Sequence, residues 1–176
     1  MSVQAIEEFA ADATLEQLRK TLQFDASFNE EFRILRPNLG KITQHWSFQM
    51  SSQLTEHLGA MNRMDSVDAG KFDQLMKTYV REMRTGRFYE DFAAAVEGLA
   101  DFFIERNVKL SWLVGAYLGL FYEAQLAIFF DRKSEEARVV VSALRCLLKI
   151  MTLTIQILNA RAFKRLEDAF TELKPY

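Results

Sequence analysis

The chain has 176 residues, of which 49% are hydrophobic and 26% charged. That is the length and balance of a single soluble globular domain with a substantial core, and no internal repeat, low-complexity stretch or inter-domain linker is visible. The net charge of −2 builds in no general attraction to nucleic acid or anionic membrane.

Only two prolines occur, Pro37 and Pro175, and the seven glycines are scattered. Such a shortage of breakers predicts long helices and no extended sheet. The start, Met1 to Glu8, is acidic and has no apolar core, so no signal peptide is expected. No apolar run approaches the ~20 residues that span a bilayer. The single Cys146 lies in the apolar run Ala143 to Leu148. It has no partner for an internal disulfide, and no Cys/His cluster marks a metal site. A soluble, cytoplasmic protein is expected.

In chain order, Thr14-x-x-Gln17 and Ser27-x-x-Glu30 have capping-box form and predict two short helices. Leu15, Leu18 and Leu22 line one face of the first, and Phe28, Phe32 and Leu35 line the second. Pro37 ends the second helix or opens the next. A third helix runs from about Asn38 to His57, with Ile42, Trp46, Met50 and Leu54 at four-residue steps, and Gly59 closes it. The polar stretch Asn62 to Ser66 reads as a loop. A fourth helix carries Phe72, Leu75, Met76, Tyr79, Val80 and Met83 and stops at Gly86. A fifth spans roughly Tyr89 to Arg106, and a sixth, from Ser111 to about Phe130, is apolar on more than one face. Ser134 is a candidate N-cap for the last and longest helix, from about Glu135 to Leu173. Leu144, Leu148, Met151, Ile155, Leu158 and Ala162 form one stripe of that helix, and Ile150, Leu153 and Ile157 form another. One stripe covers the chain's own core. The other, with the preceding helix, predicts a homodimer through the last two helices, unless both stripes are intramolecular. Residues 164–176 read as a helical tail or output linker.

Catalytic patterns are lacking. Glu7-Glu8, Glu30-Glu31 and Glu135-Glu136 are adjacent on helices and diverge by roughly 100°, so none is a general acid–base pair. No Gly-rich phosphate loop, Ser/His/Asp set or nucleophile elbow is present, and no enzyme activity is expected. His45 and His57 lie twelve residues apart on one predicted helix. That is about 18 Å along the axis, too far to share a metal. Arg106 and Lys109 flank the turn before Trp112, a place for an anion or ligand carboxylate.

From Gly86 the chain reads Gly-Arg-Phe-Tyr-Glu-Asp-Phe, continues to Arg106 and reaches Trp112-Leu-Val-Gly115-Ala-Tyr117. This block resembles the haem-anchoring region of bacterial globin-coupled sensors. In that family a similar glycine opens the F helix, and a Trp-x-x-Gly-Ala-aromatic motif follows the proximal histidine. Counting 17 residues forward from Gly86, or nine back from Trp112, reaches the position of that histidine, which here is Phe103. The resemblance extends over most of residues 14–165, through Tyr79 to Gly86 and the stretches Leu148 to Leu153 and Ala160 to Phe163. It implies an all-α globin fold with extra N-terminal helices and a long C-terminal helix, in one domain over 1–176.

The departures from the family shape the functional expectation. The family's B helix usually offers a tyrosine to the distal haem ligand, and the similar stretch here is Trp46-Ser47-Phe48. Iron needs an axial nitrogen, sulfur or oxygen donor, and Phe103 has none. The resemblance therefore implies a sensory or regulatory domain without haem, whose pocket is lined by Trp46, Phe48, Tyr79, Phe102, Phe103, Trp112 and Tyr117, with His45 beside it. Such a pocket holds an apolar small molecule such as a fatty acid, or the domain acts through protein contacts with a C-terminal output partner. Two alternatives stand beside it. One is a haem-bound gas sensor with an unusual ligand such as His45. The other is a ligandless interaction module plugged by its own phenylalanines.

Overall fold

In the computed structural model, which describes residues 14–59, 65–131 and 137–172, the described chain is all helical. Six helices follow in order: α1 (Leu15–Thr21), α2 (Ala26–Gly59), α3 (Ser66–Thr85), α4 (Glu90–Glu105), α5 (Leu110–Asp131) and α6 (Ala137–Glu172). The long α2 and α6 pack against each other and organise the rest. α3 and α5 lie on α2, α4 fills the space between α3 and α6, and α1 rests on α6.

Local chemistry sets most boundaries. Thr14 and Gln17 form the expected capping box on α1, with Thr14 N–H donating to Gln17 Oε1 at 2.6 Å. The α1 exit places Gln23 in the left-handed region at φ 57°, while Phe24 N–H reaches back to Arg19 C=O at 2.9 Å. This is a Schellman stop without the usual glycine. α4 ends the same way on Asn107, φ 53°, with Val108 N–H donating to Phe103 C=O at 2.9 Å. Asp65 and Asp68 cap α3 reciprocally, and Gly86 at φ 75° ends it.

Two expectations fail within α2. Asp25, not Ser27, caps it: one Asp25 carboxylate oxygen accepts from the Ser27 N–H at 2.9 Å and the Phe28 N–H at 3.2 Å. Neither does Pro37 separate two helices. It sits inside a single 34-residue helix. Proline removes one backbone donor and crowds the preceding turn. Here Phe28, Phe32 and Leu35 before it and Leu39, Ile42 and Trp46 after it are all buried in one core, and that common burial outweighs the local penalty. The expected loop at 62–66 is in part outside the described residues, although Ser66 already belongs to α3. Ser134 also lies outside them.

Three ion-pair clusters tie the helices together. Asp101 on α4 takes Arg161 of α6 bidentately, at 2.9 and 2.8 Å, and Arg165 at 3.1 Å. Buried Glu31 on α2 meets Arg145 and, at 3.4 Å, Lys149 of α6. Asp68 near the start of α3 meets Arg106 at the end of α4. By length and composition, the Ala137–Ala169 part of α6 also qualifies as a membrane span, contrary to the expectation that no run comes close. In this fold 44% of its most apolar window is buried against the rest of the chain.

Candidate functional site

The expected pocket is an interior packed with aromatic side chains from α2, α3, α4 and α5. Trp46 of α2 is buried, and its indole N–H donates to the Ala116 carbonyl of α5 at 2.9 Å. Its ring meets Tyr117 at 5.4 Å and Tyr79 at 6.2 Å between centroids. The Tyr79 hydroxyl lies 3.2 Å from Thr154 Oγ1 on α6. Because the Thr154 hydroxyl already donates to the Ile150 carbonyl at 2.9 Å, Tyr79 is the donor in that pair. One polar node thus joins α2, α3, α5 and α6.

Charge cannot enter this node. Burial pushes the Tyr79 hydroxyl up to about 12, against partial relief from Thr154 and Tyr117. Burial, with Tyr79 beside it, holds Tyr117 well above the ordinary phenol range. Among the described residues the Tyr117 hydroxyl makes no well-formed hydrogen bond, although it lies close enough to the Tyr79 hydroxyl for each to shift the other. Cys146 is likewise raised to about 12, chiefly by burial and then by Glu31, which makes it an inert core residue.

Phe103 sits where the family resemblance puts the proximal ligand. It is buried, with Phe72 at 5.8 Å and Phe102 at 6.1 Å. Phe102 also packs on Phe72 at 5.3 Å. Phe72, Met76, Tyr79, Leu99, Phe102, Phe103 and Tyr117 are each 2% exposed or less. So little of their surface is open that side chains fill the space a haem or fatty acid would occupy among them; only Met76 also borders an open groove, on the α2–α3 side. Haem does not fit these residues, on volume as well as on donor chemistry. Among the described residues no group of three His, Cys, Asp or Glu is placed to hold a metal.

Two of the expected lining residues belong elsewhere. Phe48 is 74% exposed, because it lies two residues from Trp46 and so on the opposite side of α2. His45 is also at the surface, 2.9 Å from Gln49 and 3.7 Å from Glu123. Neither reaches the interior. Trp112 is only partly buried and stacks on His57 at 6.3 Å, near the end of α2. The anion place expected at Arg106 is taken: its guanidinium is engaged by Asp68 and Glu105 and lies 4.0 Å over the Phe102 ring. A narrow cleft of about 320 Å³ remains between α2 and α5, along Trp46, Met50, Trp112, Gly115 and Gly119.

Sequence reasoning missed Thr154 and Asn107. Thr154 has no sequence signal as Tyr79's acceptor, since the two are 75 residues apart. Asn107 had one, as an asparagine at a predicted helix end. Fold and site together define an all-helical domain with an aromatic interior closed to solvent. Compared with protein-family models, curated proteins and solved structures, the chain matches none.

Proposed function

We propose that this chain is a regulatory domain of the globin-coupled sensor type that works without haem, through contacts of α5 and α6 with a second copy and an output partner. One observation carries the reading: the interior is filled, while large apolar side chains face solvent on these two adjacent helices. On α5, Val114, Leu118, Tyr122 and Leu126 recur every four residues along an exposed face. Leu118 is 62% exposed and Tyr122 59%. On α6, Val141 and Leu148 are exposed one heptad apart, and Phe163 and Leu166 are exposed near its end. A helix pair with such a face supports a four-helix contact. Of the order the resemblance implies, the short first helix and the long last helix are present, while the second short helix and the B-like helix are one continuous α2.

A second reading is favoured by the α2–α5 cleft. A Cβ at Gly115 or Gly119 would meet nothing within 4 Å, and two tryptophans line the same cleft. A small apolar ligand entering there would press on Trp46 and its bond to α5.

Sedimentation at micromolar concentration tests the main reading. A dimer is expected, converted to a helical monomer by Leu118→Asp with Tyr122→Lys. A wild-type monomer would remove it. An absorption spectrum after expression with ample haem precursor should show no Soret band near ~400 nm. A band at one haem per chain would restore the gas-sensor alternative.

A further inference from the structure

A second concavity lies on α2 where α3 packs beside it. α2 and α3 run beside each other and leave a groove of about 860 Å³, within the ~300–1,000 Å³ typical of small-molecule sites. Its floor includes the buried Met76 and the partly buried Val80. Four cations line it: Arg36, Lys77, Arg81 and Arg84. Lys77 is neutralised by Asp73 at 2.6 Å and Arg81 by Glu82 at 2.8 Å. Arg36 and Arg84 have no carboxylate or hydrogen-bond partner among the described residues.

Both unpaired arginines line the groove, Arg36 from α2 and Arg84 from α3. Arg84 is on the last turn of α3, where the helix dipole favours a cation. That accounts for its charge but not for its path. Its guanidinium crosses to α2 and lies 3.6 Å from where a Cβ on Gly40 would stand, one turn along from Arg36. The guanidinium is thus in ordinary contact range of α2 at Gly40. Two guanidinium forks beside an apolar floor match a doubly charged oxyanion attached to an apolar body.

We propose that the α2–α3 groove binds a phosphate monoester, with Arg36 and Arg84 on the phosphate oxygens and the organic part on Met76 and Val80. Thr43 and Ser47, although at the groove, spend their hydroxyls on the carbonyls of Leu39 and Gln44 in their own helix. The phosphate contacts therefore fall to the two arginines.

Titration of the labelled full chain with phenyl phosphate, followed by backbone amide shifts, tests the site. Saturable shifts confined to residues 36–47 and 76–85 are expected, and inorganic phosphate should bind more weakly because it leaves the floor uncovered. Arg84→Gln and Arg36→Gln should each weaken binding about tenfold or more. Arg84→Lys should recover only part of it, since a lysine keeps the charge but loses the fork. Arg138→Gln, on α6, should change nothing. Absence of saturation, shifts mapping elsewhere, or equal loss in Arg138→Gln would overturn the site. So would co-sedimentation with phosphatidic acid vesicles in the absence of any phenyl phosphate binding, which would assign the groove to a lipid surface.

Discussion

At Gly86 two constraints coincide on one atom. The backbone is left-handed, and a Cβ there would stand 2.5 Å from the Phe32 ring, which is itself fixed between Phe28 and Phe88. Gly86→Ala should cost about 2–4 kcal/mol, from the left-handed penalty plus overpacking, read as a lower urea midpoint. Tyr79 and Tyr117 differ in a way that two phenylalanine variants expose. Tyr79→Phe removes a donor and should destabilise by about 1 kcal/mol, whereas Tyr117→Phe removes a buried hydroxyl without a partner and should be neutral or stabilising by a similar amount. Both phenols are raised in the folded state, so they add stability that is whole below the unfolded value near ~10 and is lost as pH rises above it. Alkaline unfolding curves should be shallower above that pH in either variant. Unchanged slopes would mean that the two hydroxyls reach water.

Among the elements, α2 carries the sharpest test. Because Pro37 lies within one helix, Pro37→Ala restores a donor and removes a clash, and should stabilise by about 1–3 kcal/mol. A loss of stability would return the chain to two separate helices. The α4–α6 clamp is testable by acid. Arg161, followed by Arg165, holds the Asp101 carboxyl below its ordinary value. The stability this contributes is present above the unfolded pKa near ~3.9 and is lost as pH falls through the lower folded value. Asp101→Asn should therefore be less stable at neutral pH, and its stability should fall less steeply below about pH 4. A parallel acid profile in wild type and variant would detach Asp101 from the clamp.

For the whole molecule, the filled interior predicts that a ligand cannot be added by supplying a donor alone. Phe103→His should not create haem binding, because Phe72, Phe102 and Tyr79 still occupy the volume. It should instead destabilise by about 1–3 kcal/mol, as an imidazole without partners replaces a packed ring. A Soret band in that variant would show that the core opens and would favour a ligand-binding domain over a contact module.

The sequence by itself determined the helical class, the caps at Thr14 and Gly86, and the burial of Trp46, Tyr79, Phe102 and Phe103. Those follow from local hydrogen bonding and from periodicity, which act within a few residues. It did not determine the continuity of α2 through Pro37, because the compensating burial comes from α6 and the other helices that pack on it. The stripe of Ile42, Trp46, Met50 and Leu54 already turned Phe48 away from the core, and only the family resemblance drew it into the pocket. His45, one residue from that stripe, was placed only when α5 packed on α2 and set Glu123 beside it. Whether the aromatic-lined space is a cavity or a core was also undecided by composition. Tertiary packing decided it, since only the closing of four helices on one another sets whether phenylalanine rings meet or stand apart.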